Sequence, residues 1–234
     1  MRIDIITLFP ELFAPVLDHS IVGRARKKGV LQVCVHQLRD FSPDRRNRKV
    51  DDTVFGGGKG MLLAAEPFAR GADALAEHLG RRPHMVYMSP RGPVLTQEKA
   101  RELAALPQGL LVLCGHYEGV DQRLLDEYAA EEISIGDYVL TGGELPAMIL
   151  TDAVSRMLPG VLAEEVCFTE ESHFSGLLEY PQYTRPEVWR GRPVPEVLLS
   201  GHHENIARWR QEQAEAVTRA NRPDLYAAYL AGKP

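Results

Sequence analysis

The fold of this chain is decided by one stretch, LLVLCGHYEG at residues 110–119. Its first five residues are all apolar, and a short loop with a glycine at each end follows them. Strands that are covered on both faces of a parallel sheet have such continuous apolar runs, so residues 110–114 are predicted to form a strand of a mostly parallel sheet. Glycine allows a tight turn and a close approach of the backbone to a ligand. The stretch therefore predicts an α/β fold in which the loops at the strand ends are of a kind that can bind a ligand.

The same pattern extends through about residue 158, where short apolar runs alternate with segments of helical periodicity. The other predicted strands are Ile3–Phe9, Leu31–Leu38, Met85–Ser89 and Glu132–Ile135. The predicted helices are Glu11–Lys28, Glu66–Leu79, Gln97–Leu106 with Thr96 as its cap, Asp121–Ala130 and Leu145–Leu158. This order of elements predicts an α/β domain with a mostly parallel sheet.

The composition changes after Pro159-Gly160, where an acidic stretch gives way to aromatic and proline-rich sequence. Further on, residues 203–220 are rich in Ala, Arg and Glu, with apolar residues at roughly helical spacing. We therefore predict an α/β domain at residues 1–160, an interdomain linker at 161–175 and a small helical C-terminal domain at 176–234.

Composition and charge exclude several classes of protein. The 234 residues are 44% hydrophobic and 25% charged, which is typical of globular proteins rather than disordered ones. No apolar run reaches the roughly 18 residues of a membrane helix, and acids interrupt the apolar N-terminus, so we expect a cytoplasmic protein. The net charge is −5, but basic residues crowd positions 24–28 and 39–49, which allows a local basic face.

Several motifs that suggest familiar chemistry are incomplete. The glycine-rich loop at residues 55–60 lacks the Ser or Thr that a P-loop places after its lysine, here Lys59, and its spacing does not match a dinucleotide fingerprint. It is therefore predicted to be a flexible turn between a strand and a helix. His116 and Glu118 form an HxE pair without the later PCxxC of zinc deaminases, and the three cysteines form no CxxC pair. No metal site is expected.

Three loops follow predicted strands, at residues 87–92, 114–119 and 134–144. Ligands of open α/β sheets bind at the carboxyl ends of the strands, so these loops are predicted to line one small-molecule pocket. Each loop taken alone is equally typical of an ordinary tight turn.

A carboxylate in the predicted linker is a candidate general base, because substrate binding can order a segment between two domains. Glu170 and Glu171 lie there, and Arg156 lies near the end of the preceding helix. The alternatives are a solvated acidic linker and an arginine that complements the helix C-terminus.

The ordered motifs of nearly the whole chain resemble those of the bacterial tRNA (guanine-N(1)-)-methyltransferase family of the TrmD type, in the SPOUT superfamily. The landmarks are Thr7–Pro10, Arg39–Phe41, Val50–Asp52, Gly56–Met61, Cys114–Gly119, Ser134–Pro146, Ser155-Arg156, Pro181–Pro186 and Val197–Gly201. The resemblance implies a mostly parallel sheet with a deep trefoil knot and a helical C-terminal tRNA-binding domain. It also implies a homodimer that transfers a methyl group from S-adenosylmethionine to N1 of the guanine 3′ of the anticodon, in the tRNA anticodon stem-loop.

Site residues are implied by position in the same resemblance. The implied cofactor-binding residues are Tyr87, Ser89, Pro90, Gly115, Ile135, Gly136, Asp137, Tyr138, Val139 and Leu140. Glu171 falls at the family's catalytic aspartate and Arg156 at its catalytic arginine, while Glu118, Ser172, Lys59 and Arg208 are the implied substrate-binding residues. Glu171 is longer than the usual Asp by one methylene. A non-catalytic knotted RNA-binding protein and a small-molecule enzyme are the competing hypotheses.

Overall fold

A parallel five-stranded sheet organises the first part of the chain in the computed structural model, which describes residues 1–57, 60–162 and 171–232. Its strands are β1 (Arg2–Thr7), β2 (Gln32–Gln37), β5 (His84–Met88), β6 (Leu110–Cys114) and β7 (Glu131–Ile133). They lie in the order β2-β1-β6-β5-β7, and every pairing between them is parallel. The strand predicted at residues 110–114 is confirmed, and it lies in the middle of the sheet.

Side chains alternate along these strands, so the sheet has a hydrophobic core on each face. Val86 and Val112 pack in one core, and their neighbours Tyr87 and Leu113 pack in the other. Because successive residues of a strand point to opposite faces, only a continuous apolar run satisfies both cores. The helices that cover the sheet are α1 (Ala14–Leu17), α2 (Ser20–Lys27), α3 (Ala65–Leu79), α4 (Gln97–Ala104), α5 (Gln122–Glu127) and α6 (Glu144–Arg156).

The long first helix predicted at residues 11–28 is wrong. A 3₁₀ turn at Pro10–Leu12 precedes α1, and an extended residue, His19, separates α1 from α2. The backbone at Gly23 lies close to the end of α1, since a Cβ on Gly23 would lie 2.3 Å from the carbonyl oxygen of Asp18. This glycine lets the backbone of α2 touch the end of α1, a contact that helical periodicity does not reveal.

The glycine-rich loop also differs from its prediction. It joins β3 (Asp51–Thr53) and β4 (Met61–Leu63), which pair antiparallel, instead of joining a strand to a helix. Strands of three residues are too short to show a periodic pattern. The prediction of a strand–helix turn is therefore wrong, although β4 does lead directly into α3.

Contacts divide the chain into two compact units, Met1–Ala163 and Glu164–Pro234. The second unit contains the short hairpin β8 (Val188–Trp189) and β9 (Arg192–Pro193), followed by helices α7 (Glu196–Leu199), α8 (His203–Asn221) and α9 (Pro223–Leu230). In the described ranges, no helix combines the length and the apolarity that crossing a bilayer requires.

Asp4 is a buried carboxylate of β1 that makes the stability depend on pH. Burial raises the pKa of its carboxyl group, but hydrogen bonds with His36 and Arg2, at 2.8 and 2.7 Å, outweigh burial and lower it below its ordinary value of 3.8. A lowered folded pKa adds stability that is present above the unfolded pKa and is lost as pH falls through the folded one.

We expect the free energy of unfolding to decrease as the pH falls below about 4. Asp4→Asn removes the anionic partner of Arg2, so we expect it to lower the free energy of unfolding by about 1–3 kcal/mol at pH 7. The variant should also lose less stability than the wild type as the pH falls. Urea unfolding at several pH values measures both effects. Asp152→Asn, at an exposed helical position, is the control and leaves the profile unchanged. An identical acid dependence in the wild type and Asp4→Asn would contradict the assignment.

Candidate functional site

The three glycine-containing loops meet at the carboxyl edge of the sheet and line a pocket of about 350 Å³. This volume lies within the usual range for small-molecule sites. Of the residues predicted to bind a cofactor, the pocket is lined by Tyr87, Ser89, Pro90, Gly115, Ile135, Tyr138, Val139 and Leu140. Glu118 also lines it, whereas Gly136 and Asp137 belong to the third loop but are not among the lining residues.

Glycines hold the second and third loops against each other. The amide of Gly143 donates a hydrogen bond of 2.9 Å to the carbonyl oxygen of Gly115, and His116 pairs with Gly142 in an isolated bridge. A Cβ on Gly143 would lie 2.7 Å from Cα of Cys114, closer than side chains approach backbone. The glycines of these loops are therefore required by the close contact of two backbones.

The first and third loops are joined in a different way, by strand-like hydrogen bonds on both sides of one segment. Ser89 donates to the carbonyl oxygen of Ile133 at 3.0 Å, on one side. On the other side, Ser134 donates to Pro93 at 2.9 Å and Leu95 donates to Ser134 at 2.8 Å. The loop at residues 89–95 is thus hydrogen-bonded to both residues of the segment 133–134.

Tyr87 forms part of the pocket wall at the end of β5. Its hydroxyl group is so close to the second loop that a Cβ on Gly115 would lie 2.5 Å from it, and one on Gly119 would lie 3.0 Å away. Burial raises the pKa of Tyr87 above 10.0. The residue is therefore a neutral phenol that fixes the distance between β5 and the loop after β6.

The mouth of the pocket carries exposed apolar side chains. Tyr138 is 54% exposed and Val139 is 81% exposed. Gly136, at φ 145°, lies beneath the Tyr138 ring, and a Cβ there would be 2.6 Å from a ring carbon. Gly136 therefore contributes indirectly, because it lets the ring lie over the loop. Exposed apolar groups at a concave site favour a ligand with a large apolar part.

Behind the pocket is a buried polar group that no sequence pattern revealed. The hydroxyl group of Thr7 donates to Oε1 of Glu144 at 2.7 Å, and Glu144 is only 5% exposed. Glu144 is the first residue of α6, where the positive end of the helix dipole stabilises a carboxylate. Burial, and next the charge of Glu144, raise the pKa of the Cys114 thiol well above 9.0, so this thiol stays protonated.

Glu118 and the glycine-rich loop meet at the pocket rim. The amide of Glu118 donates to the carbonyl oxygen of Met61 at 3.1 Å. A Cβ on Gly60 would lie 2.5 Å from Oε1 of Glu118, so the end of the glycine-rich loop rests on this side chain. Lys59, the neighbouring predicted substrate contact, lies outside the described residues.

Membership of a known family is shown by comparison with other sequences. The family model described as tRNA (Guanine-1)-methyltransferase TrmD matches residues 1–228. The chain belongs to this family. A relative from Ruminiclostridium cellulolyticum, named tRNA (guanine-N(1)-)-methyltransferase, is 55% identical over 97% of this chain and 96% of its own. Relatives of the same name from Heliobacterium modesticaldum and Clostridioides difficile are 51% and 48% identical, over 100% and 97% of this chain and 86% and 97% of their own.

The family resemblance inferred from the ordered motifs is thus confirmed, and the chain is an enzyme of the TrmD family. The remaining predicted residues of this TrmD-family enzyme belong to both units. Arg156 is the last residue of α6 in the first unit and is half-buried. Glu171, Ser172 and Arg208 belong to the second unit, where Ser172 accepts a hydrogen bond of 2.9 Å from the Glu179 amide. Glu170 lies outside the described residues.

Some pocket residues of the TrmD-family enzyme are absent from the set predicted to bind the cofactor. Arg91 and His116 stand inside the quoted loops, while Val120 and Pro146 lie just beyond them. Arg91 forms an ion pair with Glu132 at 3.1 Å, which braces the first loop against β7. Loop position alone was the available signal for these residues. The described residues contain no group of three His, Cys, Asp or Glu side chains placed to hold a metal ion.

A methyl group added at Gly115 tests the pocket wall. Gly115→Ala would place Cβ 2.5 Å from the Tyr87 hydroxyl, so we expect an affinity for the methyl donor at least tenfold lower by calorimetry. Tyr87→Phe removes that hydroxyl, and the double variant is expected to recover part of the loss. Gly29→Ala, where nothing lies within 4 Å, is the control for cofactor affinity. Unchanged affinity in Gly115→Ala would show that this wall does not contact the ligand.

Proposed function

We propose that this enzyme transfers a methyl group from S-adenosyl-L-methionine to N1 of the guanine 3′ of the anticodon in tRNA. The observation that carries the proposal is the pocket formed by three glycine-bearing loops in a chain of the TrmD family. The curated relatives bear the name tRNA (guanine-N(1)-)-methyltransferase. Because tRNA is modified where it is used, we also propose a cytoplasmic location.

The pocket has the chemistry that S-adenosylmethionine requires. Apolar side chains at Ile135, Tyr138 and Leu140 suit an adenine ring, and Gly115 contributes backbone to the same lining. Ser89 and Pro90 form the facing wall. S-adenosylmethionine, when bound, supplies a methyl group already activated by its sulfonium. The residues of the chain then have to bind and orient it and exclude water.

The guanine that accepts the methyl group has to be activated by the protein, whereas the methyl donor is already activated. N1 of neutral guanine carries a proton, and removing it shifts negative charge to the neighbouring carbonyl oxygen. We assign proton removal to the Glu171 carboxylate and stabilisation of that oxygen to the Arg156 guanidinium. A general base contributes roughly 10²–10⁴-fold to a rate, so these two groups would account for much of the catalysis, together with positioning of the guanine.

Contacts to tRNA are assigned to four further side chains. Glu118 faces the pocket and offers acceptors to the amino and imino groups of a guanine. Ser172 follows the proposed base, and Lys59 and Arg208 are suited to phosphates. Arg208 is exposed on α8, within the proposed C-terminal tRNA-binding domain at residues 176–234, beyond the proposed 161–175 linker from the 1–160 domain.

We also propose that the first unit contains the trefoil knot of the SPOUT superfamily. The support is the hydrogen bonding of residues 133–134 on both sides by the loop at 89–95. Gly92 lies on the inside of that loop, where a Cβ would be 2.4 Å from the carbonyl carbon of Glu132. A loop closed this tightly around a passing segment is what threading of the chain requires.

The proposed homodimer has a candidate surface on α6. Leu145 and Ile149 are four residues apart, so they share one face of the helix, and they are 57% and 46% exposed. Exposed apolar neighbours of this kind indicate an interface. We expect a dimer in sedimentation experiments, and Ile149→Glu should shift it towards monomer. Leu230→Glu, at another exposed apolar residue, is the control. A wild-type monomer at micromolar concentration would contradict the proposal.

Methyl incorporation tests the function directly. Unmodified tRNA with guanine 3′ of the anticodon should accept a methyl group from labelled S-adenosylmethionine, and nuclease mapping should place it on N1 of that guanine. The same tRNA with adenine at that position should accept none. Binding of tRNA without methyl transfer would instead support the alternative, a non-catalytic knotted RNA-binding protein.

A further inference from the structure

The second unit contains a cavity of its own, of about 560 Å³, which the proposed methyl transfer does not use. Its apolar lining comes from the segment before α7, from α7 and from α8, and includes Val194, Leu198 and Ile206. Three aromatic residues also line it, and the rings of Tyr183 and Trp209 lie next to each other. The cavity is therefore a concave apolar site within one unit.

The two aromatic rings are arranged as adjoining walls. The ring centroids of Tyr183 and Trp209 are 6.2 Å apart and their planes are inclined by 53°, so the rings do not stack on each other. Tyr183 remains 48% exposed, which leaves part of its ring accessible. Accessible aromatic rings at a concave site bind flat heterocycles by stacking, and unpaired nucleobases are bound in this way.

The rim of the cavity carries cations together with polar groups. The guanidinium of Arg210 lies 4.9 Å from the centroid of the Tyr180 ring, and Arg185 is exposed beside it in the lining. Neither arginine forms an ion pair with a carboxylate of residues 1–57, 60–162 or 171–232. Gln182 and Glu187 add donors and acceptors of the kind that read the edge of a base.

We propose that this cavity binds an unpaired nucleobase of the tRNA, distinct from the guanine that is methylated. The base would lie against Tyr183 and Trp209, with its phosphate near Arg185 and Arg210. A flat heterocycle joined to an anion matches both the aromatic rings and the arginines of the site, whereas an acidic protein segment would match only the arginines. The inference rests on the proposed function, because it takes tRNA as the partner.

Tryptophan fluorescence offers a direct test. The chain has two tryptophans, so Trp189→Phe leaves Trp209 as the sole reporter inside the cavity. With the full-length variant, we expect an unmodified tRNA transcript to change the emission of Trp209 in a saturable way, and a poly-glutamate peptide to leave it unchanged. Emission that stays constant at saturating tRNA would overturn the proposal, as would a response to poly-glutamate alone.

A matched pair of variants supplies the second test. Tyr183→Ala is expected to raise KM for tRNA roughly tenfold or more without changing affinity for S-adenosylmethionine, and Tyr183→Phe should retain the wild-type KM. Trp189→Ala is the control, because Trp189 is likewise an exposed aromatic residue of the second unit and lies outside the cavity. Equal effects of both alanine variants would overturn the proposal.

The two proposals fail in different ways. The wild type could transfer methyl groups while tRNA leaves Trp209 emission unchanged and Tyr183→Ala keeps the wild-type KM for tRNA. That result would contradict nucleobase binding in the cavity and leave the proposed function intact. A wild-type enzyme that neither binds nor methylates tRNA would refute the proposed function, and the inference about the cavity would fall with it.

Discussion

Glu171→Gln is expected to lower the single-turnover rate of methyl transfer by roughly 10²–10⁴-fold, because the amide cannot accept the N1 proton of guanine. Gln has nearly the same shape as Glu, so tRNA binding and folding should be preserved. Affinity for S-adenosylmethionine should also be unchanged, since the pocket loops belong to the first unit and Glu171 to the second. Rapid-quench kinetics with labelled cofactor and calorimetry provide the two measurements.

Two variants make the expected loss interpretable. Glu171→Asp keeps the carboxylate and restores the residue usual in the family, so it should retain most of the activity. Glu179→Gln removes another carboxylate of the same unit, one that accepts a hydrogen bond of 2.6 Å from Gln182, and should leave the rate unchanged. A Glu171→Gln enzyme with the wild-type single-turnover rate would remove Glu171 from the mechanism and direct attention to Glu170.

Gly92→Ala is expected to destabilise the first unit by about 3 kcal/mol or more and to abolish cofactor binding. The added Cβ would lie 2.4 Å from the carbonyl carbon and oxygen of Glu132 and 2.6 Å from the amide nitrogen of Ile133. These are backbone atoms paired in the sheet edge, so they cannot move aside as a flexible side chain can. The loop at residues 89–95 would have to open, and it forms one wall of the pocket.

Urea unfolding measures the loss of stability in Gly92→Ala, and a glycine with free space around its Cβ position provides the control. Gly80 ends α3 at φ +64° with nothing within 4 Å of a Cβ, so Gly80→Ala should cost only about 1–2 kcal/mol from its left-handed backbone. Equal midpoints for Gly92→Ala and the wild type would mean that the loop does not close tightly around residues 133–134. The proposed knot would then lose its structural support.

Patterns within a few neighbouring residues predict several strands and helices of this chain. The continuous apolar run of β6 was predicted with its exact bounds, and Thr96 caps α4 as predicted by accepting a hydrogen bond from the Lys99 amide. Strand and helix patterns depend on neighbours within a few residues, so a single sequence displays them. The helix predicted at 11–28 is wrong because the break at His19 goes with a close backbone contact of Gly23, which periodicity does not reveal.

The candidate pocket was predicted as a set of loops, but not every residue named for it lines it. Gly136 and Asp137 stand in the right loop but do not line the pocket, since Gly136 supports the Tyr138 ring instead. The buried pair of Thr7 and Glu144 joins positions 137 residues apart. No spacing rule links two such residues, because their contact arises only when β1 and α6 pack together.

The sequence by itself determined the class of fold, the strand-following loops and the family, because apolar periodicity, glycine positions and ordered motifs are properties of the chain read in order. The tertiary structure alone decided the strand order β2-β1-β6-β5-β7, the hydrogen bonding of residues 133–134 to the loop at 89–95 and the cavity beside Trp209. These features depend on contacts between distant segments. Such contacts form only after the loop-closure entropy has been overcome by packing of the whole unit.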